Sequence, residues 1–514
     1  MTPKICLCLT GATIEEDLRI LDEYRSWIDI AELRVDYLCK DERLQIRKFP
    51  ALAGVPCILT IRRVLDGGKF AEGEAARTLL FARGLAFADQ DSRKNFAYVD
   101  FEEDFQVPSL QDAAFAFGTR VIRSCHSMHE PVTNIAEHMQ KMRITGYEIP
   151  KIACMPNSIR ETAALFHEAK LLSGFEHILC AMGPYGAPTR ILAERLGSFL
   201  TYTSPKDAGS GMAALGHIDP VTLNEVYNFR GIDAKTKIFG VTGYPLEITQ
   251  SPALHNAGYR RHGMNSVYIP IRAQKIEEAL DFARELDITG LSVTIPHKES
   301  VLDELQSVSS AVGEIGSCNT IVRSGDGWTG FNTDSSGLIE ALQEFLRTDT
   351  LRHTKVAIIG AGGAARAAVY AVRQMHGSVC VFNRTVSRAR TLAEEYNCKW
   401  AALDETAVPL LERYSDLIIQ TTSVGMGCAG PSDSTTDPLY FYGFRGHEAV
   451  YDVIYSPELT PLLARAKEAG CRVSNGLSML RYQAYRQFKL FTGVEYDEEH
   501  SSAGTESIGR RHGR

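Results

Sequence analysis

The sequence predicts an α/β protein built from a TIM (β/α)8 barrel, a second α/β domain and a Rossmann dinucleotide-binding domain, in that order. Three observations predict it. Short apolar runs alternate with amphipathic stretches as far as residue 228, and the chain then turns polar at NFRGIDAKTK (228–237). Further on, VAIIGAGGAARAAV (356–369) joins an apolar run to a glycine-rich turn and a helical pattern. The chain has 514 residues, and single hydrophobic cores stop growing at about 250–300.

The apolar runs of the first part are ICLCLT, IDIAELRVD, PCILTIR, NFAYVDFEE, TRVIRSCH, IPKIACMP, HILCAMG and FLTYTS, eight in all. Between them, Thr13–Trp27, Glu74–Ala88 and Ser158–Ser173 carry apolar residues at helical spacing. Eight βα units at this length are what a barrel requires. A doubly wound sheet is the other solution, but no glycine-rich first turn supports it.

Residues two apart in a strand share a face. Glu32, Arg34 and Asp36 therefore point one way, as do Thr60 with Arg62, Asp100 with Glu102, Ser124 with His126, and Lys151 with Ala153. The face toward the helices must be apolar, so the charged face looks into the barrel or its mouth, where this fold keeps its active sites. Singly, each residue has a structural explanation: Glu32 with Arg34 as an ion pair, His126 as a bonded core histidine, Lys151 reaching out to water. Polar groups from five consecutive strands on one side are not explained that way, because unpaired buried charge is strongly destabilising.

The boundaries this implies are 1–230 for the barrel, 237–345 for the second domain and 346–495 for the dinucleotide domain, with C-terminal helices returning to the second domain. Residues 496–514 lack apolar periodicity and are expected to form a disordered tail. Gly360, Gly362, Gly363 and Ala364 would let backbone and a helix N-terminus approach a pyrophosphate. The next strand, SVCVFNRT, ends where an NAD enzyme places an acidic residue on the ribose. Here it carries Asn383, Arg384 and Thr385, which suit a 2′-phosphate and favour NADP; the competing explanation is an exposed arginine in a turn. Lys298, after ITGLSVTIP, and Asp334, in GFNTDSSGL, are by themselves a solvated lysine and a helix cap.

The net charge is −8 with no run of five or six like charges, which excludes nucleic acid and anionic membrane as expected partners. Small anionic substrates fit the isolated basic residues better. The twelve cysteines form no C-x-x-C pair and read as free thiols of a reducing cytoplasm. The first apolar run holds about five residues, short of the roughly 7–15 of a signal-peptide core, and no segment approaches the ~18 of a membrane span. A soluble cytoplasmic protein is expected, with no metal site and its oligomeric state open.

AELRVD (31–36), LTIR…GG (59–68), VIRSCH (121–126) and IPKIACMP (149–156) resemble the type I 3-dehydroquinate dehydratases over roughly residues 4–225. The resemblance implies a Schiff base on Lys151, general acid–base work by His126, carboxylate binding by Arg190, and substrate contacts from Glu32, Arg34 and Arg62. A lysine must be neutral to attack a carbonyl, and Arg34 and Arg62 are expected to favour that form. Two departures stand out. Asp66 takes the place of a glutamate that orients the histidine in the family. The nearest match to the family's substrate-closing loop is AALGHI (213–218), with Ala213, Leu215 and His217 at its serine, proline and glutamine positions.

YPLEITQSPALHN (244–256), SVTIPHK (292–298), GSCNTI (316–321), GFNTD (330–334), GAGGAARA, NRT, TTSVGM (421–426), YDVIYSPELTPLL (451–463) and NGLSMLRYQA (475–484) resemble the shikimate dehydrogenases, in family order. Residues 237–345 then become a shikimate-dehydrogenase-like substrate domain. The resemblance implies a catalytic pair Lys298–Asp334, a shikimate carboxylate held by Thr249 and Ser251, ring hydroxyls bound by Thr294, Asn319 and Gln483, and Tyr455 lining the site. Ser292 replaces a common asparagine. The implied substrates are 3-dehydroquinate and 3-dehydroshikimate or shikimate, in consecutive steps. A non-catalytic quinate- or shikimate-sensing protein could lose Lys151, His126, Lys298 or Asp334 without penalty, and all four are present. An NAD-dependent quinate dehydrogenase is disfavoured by the NRT turn.

Overall fold

The computed structural model describes residues 2–86, 89–207, 215–246, 249–428 and 430–497. Contacts divide the chain into two compact units. One runs to Thr242 and includes Tyr259–Ile288; the other holds Gly243–Gly258 and the chain from Thr289 onward.

In the first unit, each predicted apolar run forms one strand: β1 Lys4–Leu9, β2 Ile30–Arg34, β3 Cys57–Thr60, β4 Tyr98–Glu102, β5 Arg120–Ser127, β6 Ile149–Cys154, β7 Ile178–Ala181 and β8 Leu200–Thr203. They lie in the order β7-β6-β5-β4-β3-β2-β1-β8, and every ladder is parallel. At the β7–β8 seam a single parallel bridge joins His177 and Ser198, and Ser198 Oγ accepts from the Leu179 amide at 3.2 Å. The helices start where the sequence caps them: Thr13 accepts from the Glu16 amide ahead of Ile14–Tyr24, and Ser158 from the Glu161 amide ahead of Ile159–Ala169.

Strand alternation sorts the barrel interior into layers. Ile30, Ile58, Tyr98, Ile122, Ile149 and Ile178 form an apolar cluster with Cys6 and Leu200. Two residues further along the same strands stand Glu32, Thr60, Asp100, Ser124, Lys151 and Cys180, all buried. Hydrocarbon thus fills one end, and the polar layer above it opens at the C-terminal ends of the strands.

The same unit continues into β9 Lys237–Gly243, all but its last residue, and β10 Ser266–Arg272. Helix Ile276–Glu285 packs on the barrel helix Ile159–Ala169. Phe166 and Phe282, both buried, meet edge-on at 6.0 Å, flanked by Lys170–Glu285 at 2.7 Å and Arg160–Asp281 at 2.5 Å.

The second unit carries β11 Gly290–Val293, β12 Ser307–Val308, β13 Thr320–Ser324 and β14 Gly327–Phe331. β13 runs antiparallel to both β11 and β14, and β12 parallel to β14. Then β15 Lys355–Ile359, β16 Ser378–Asn383, β17 Lys399–Ala402, β18 Leu417–Gln420, β19 Ala449–Asp452 and β20 Arg472–Ser474 form a sheet in the order β17-β16-β15-β18-β19-β20. All its ladders are parallel. The strand order reverses at β15–β18, which places a ligand crevice beside the turn after β15. The C-terminal helix Leu477–Thr492 packs on Asp334–Leu346. Tyr496 stacks on Tyr485 at 4.2 Å; the rest of the expected tail, from 498, lies outside the described residues. Among the described residues no helix is long and apolar enough to cross a membrane.

Candidate active sites

The barrel mouth holds an open cavity lined by Glu32, Arg34, Arg62, His126, Lys151 and Arg190, among others. All six sequence-predicted residues meet there. Lys151 is buried on β6, its Nζ 2.9 Å from Asp100 Oδ2 and 4.3 Å from the centre of the Tyr202 ring. Arg62 reaches Asp100 Oδ1 at 2.8 Å and Glu102 Oε1 at 2.6 Å. Arg34 makes a bidentate pair with Asp36, at 3.0 and 2.8 Å. Glu32 accepts from the Cys8 thiol at 3.0 Å and the Thr60 hydroxyl at 2.8 Å. Arg190 is buried with its Nε unpartnered among the described residues, a donor available to an anion. Burial, then the cations Arg62 and Lys151, hold the His126 imidazole well below the usual histidine range, which favours its neutral form.

Arg34 and Arg62 are each paired with carboxylates, and the ionic contact Lys151 makes is with Asp100. Asp66 lines the cavity but is taken by Arg63 at 2.6 Å, while His126 Nδ1 is buried without a partner among the described residues; Asp66 does not orient the histidine. Its 3-10 turn, Val64–Asp66, keeps the carboxylate within reach of the arginine three residues back. In the loop after β8, Leu215 and His217 both line the cavity, the Leu215 carbonyl accepts from Arg190 at 3.4 Å, and Ala213 lies outside the described residues.

In the second unit, Lys298 sits on the short helix His297–Ser300 and its ammonium donates to Asp334, the first residue of Asp334–Leu346. Asn319 holds the other carboxylate oxygen at 2.8 Å and also donates to Thr333 at 2.9 Å; Gln483 Oε1 lies 3.4 Å from the same amide. Asn319, Thr333 and Asp334 are all at most 4% exposed. Thr249 Oγ1 accepts from the Ser251 amide at 3.2 Å, and Tyr455 bonds to Thr249. Thr294 is half-buried where the Tyr244 turn docks, with the Tyr244 amide donating to the Ile295 carbonyl at 2.8 Å. Ser292 is occupied: its hydroxyl donates to Gln487 at 2.8 Å.

The glycine-rich turn fits a dinucleotide for reasons that differ by position. Gly360 has φ +119°, and a Cβ there would lie 2.5 Å from Thr421 Oγ1. A Cβ on Gly362 would meet nothing within 4 Å, leaving open space in front of the helix Gly363–Gln374, where a pyrophosphate is favoured. A Cβ on Gly363 would stand 3.0 Å from Lys298 Cβ, so the turn lies directly against Lys298. Ala364 follows in the first turn of that helix. Asn383 Nδ2 donates to the Thr385 carbonyl at 2.9 Å, and Arg384 between them is exposed.

Residues 5–234 match the type I 3-dehydroquinase family, 241–321 the shikimate dehydrogenase substrate binding domain, and 341–426 the shikimate/quinate 5-dehydrogenase family. The chain is 30% identical over 499 residues to the chloroplastic bifunctional 3-dehydroquinate dehydratase/shikimate dehydrogenase of Arabidopsis thaliana, covering 92% of this chain and 79% of that one. The chain belongs to this bifunctional family. It joins a 3-dehydroquinate dehydratase, a lyase, to a shikimate dehydrogenase, an oxidoreductase. Its second half is 37% identical over 266 residues to shikimate dehydrogenase (NADP(+)) of Maridesulfovibrio salexigens, covering 51% of this chain and 94% of that one. A solved structure of dehydroquinate dehydratase and shikimate dehydrogenase from S. pombe aligns over 96% of this chain and 97% of that chain, with 25% identity and a TM-score of 0.40.

Three groups in the bifunctional enzyme's sites carried no role in the sequence reading. Tyr202 faces Lys151 from β8, signalled only by its place two residues after Leu200. Thr333 shares Asn319 with Asp334, its immediate neighbour. Gln487, four residues after Gln483 on one helix face, bonds Ser292 and Thr320.

Proposed function

We propose that Lys151 forms the imine with 3-dehydroquinate in the dehydratase half, and that Lys298 and Asp334 carry the reduction of 3-dehydroshikimate to shikimate in the other. The observation that carries this reading is a lysine–carboxylate pair set against a glycine-rich turn, in one chain with a lysine buried in a charged barrel layer. His126 removes the proton beside the imine and returns it to the departing hydroxyl. Glu32, Arg34, Arg62 and Arg190 bind the anionic substrate of the barrel. Thr249 and Ser251 hold the shikimate carboxylate, Thr294, Asn319 and Gln483 the ring hydroxyls, and Tyr455 lines that site.

NADPH supplies the hydride. Gly360, Gly362, Gly363 and Ala364 would hold its pyrophosphate, with Asn383, Arg384 and Thr385 at the 2′-phosphate. We also propose the domain boundaries 1–230, 237–345 and 346–495, a cytoplasmic location, and partners limited to small molecules, without nucleic acid. No observation favours the non-catalytic sensor.

The purified chain, given 3-dehydroquinate and NADPH, is expected to release shikimate as NADPH is consumed. Accumulated 3-dehydroshikimate with no NADPH consumption would refute the second activity. Arg384→Ala should raise the KM for NADPH by about 10–100-fold, the worth of a charged hydrogen bond, and leave NADH unaffected. Equal losses with both cofactors would mean that Arg384 does not read the 2′-phosphate.

A further inference from the structure

We infer that Asp100 is the counter-ion of the Lys151 nitrogen throughout turnover, pairing with the ammonium of the resting enzyme and with the protonated imine of the covalent intermediate. This rests on Lys151 being the imine-forming residue, and it gives a role to a carboxylate that the reaction outlined above does not use.

The geometry is specific about which oxygen does what. Asp100 is 1% exposed. Its Oδ1 takes the Ser124 hydroxyl at 2.5 Å and the Arg62 guanidinium at 2.8 Å, while Oδ2 takes Lys151 Nζ at 2.9 Å. Two donors on one oxygen fix the carboxylate plane and aim the other at the lysine. Arg62 is itself shared with Glu102 at 2.6 Å, and Glu102 pairs at 2.8 Å with Arg77, which is fully buried on Glu74–Leu85. Charges therefore alternate from the outer helix to Lys151. On its other side the nitrogen meets the Tyr202 ring at 4.3 Å, an uncharged surface that tolerates a cation.

This arrangement suits a nitrogen whose charge must change. When Lys151 gives up its proton, Asp100 keeps Arg62 and Ser124, so no buried carboxylate is stranded without partners. The neutral nitrogen adds its lone pair to the C3 carbonyl carbon. The carbonyl oxygen takes up two protons and leaves as water, and a C=N⁺ bond remains beside Oδ2. The C2 proton then passes to His126 as the C–H electrons move into the C=N⁺ bond, giving a neutral enamine. Those electrons next expel the C1 hydroxyl, which leaves as water with the proton from His126, and C=N⁺ returns. A second water hydrolyses it, freeing the ketone and the amine. Only the protonated imine withdraws electrons, and an anion fixed beside it favours that species over the carbinolamine.

The test is borohydride trapping of the full-length chain with 3-dehydroshikimate, read by intact and peptide mass, beside steady-state dehydratase kinetics. Trapping of the wild type on Lys151 checks the underlying assignment by itself; a label elsewhere would overturn that assignment and this inference with it. With wild-type trapping in place, Asp100→Asn should cut the trapped fraction sharply and lower kcat by about 10²–10³-fold, with KM little changed. An unchanged trapped fraction would overturn the role, whatever happens to kcat. If Asp100→Asn leaves the barrel unfolded, Ser124→Ala decides, since it removes one neutral donor from Oδ1 and keeps every charge. A reduced trapped fraction in that variant supports the inference, and a wild-type fraction overturns it.

Discussion

Lys151→Ala is expected to abolish dehydration, lowering kcat on the order of 10⁴–10⁶-fold, as happens when a covalent nucleophile is removed. Among the described residues no other lysine lines the barrel cavity, so none there can substitute in the covalent route. Breaking a buried ion pair costs about 3–5 kcal/mol when it strands a charge. Here Asp100 retains Arg62 and Ser124, so the barrel should remain folded. Reduction of added 3-dehydroshikimate by the same chain should stay at the wild-type rate, which separates a lost nucleophile from a lost protein. Residual dehydration within tenfold of wild type would remove Lys151 from the mechanism.

The barrel should also weaken on acidification. His126 and His217 are both held well below the usual histidine range, first by burial and then by nearby cations: Arg62 and Lys151 for His126, Arg190 and Arg34 for His217. A depressed folded-state pKa gives stability that is present above the unfolded value of about 6.5 and is lost as pH falls below it toward the folded value. Urea midpoints for loss of dehydratase structure should therefore fall below that pH; midpoints that hold steady there would mean both rings protonate freely in the folded chain.

Alternation and turn chemistry made most of the fold legible. Ile30, Glu32 and Arg34 are spaced by two, and that alone places a plug residue, a polar-layer residue and a mouth residue on one face of β2. It cannot say which charges pair. Asp100 and Lys151 stand on β4 and β6 with β5 between them, and the link depends on side-chain reach across the barrel. Asp66 is a related case: its position fits an orienting carboxylate, yet its partner is Arg63, three residues back. Ser292 and Gln487 are 195 residues apart, so no local pattern could reveal that the serine is already engaged. Residues 259–288 group with the barrel, and Phe282 packs on Phe166 across two helices whose meeting no local pattern reveals.

Lys298→Ala is expected to lower kcat for 3-dehydroshikimate by about 10²–10⁴-fold, the usual worth of a positioned acid–base group. Negative charge grows on the carbonyl oxygen as the carbon is reduced, and the Lys298 ammonium is the donor available to neutralise it. Asp334 holds that ammonium, and Asn319 holds Asp334 from the other side at 2.8 Å, so the donor's position is set by buried groups. Asp334→Asn should accordingly lower kcat too, because the lysine loses the carboxylate that holds its ammonium in place. NADPH affinity should be retained in Lys298→Ala. The Gly363 turn abuts Lys298 through Cβ, which alanine keeps, and the cofactor contacts proposed above lie on the turn after β15 and at the end of β16. Dehydration by the Lys151 half should be untouched. Stopped-flow reduction with saturating NADPH separates the possibilities. If Lys298→Ala raised KM for 3-dehydroshikimate and left kcat intact, the lysine would be a binding residue, and the proton would have to come from another group in the site.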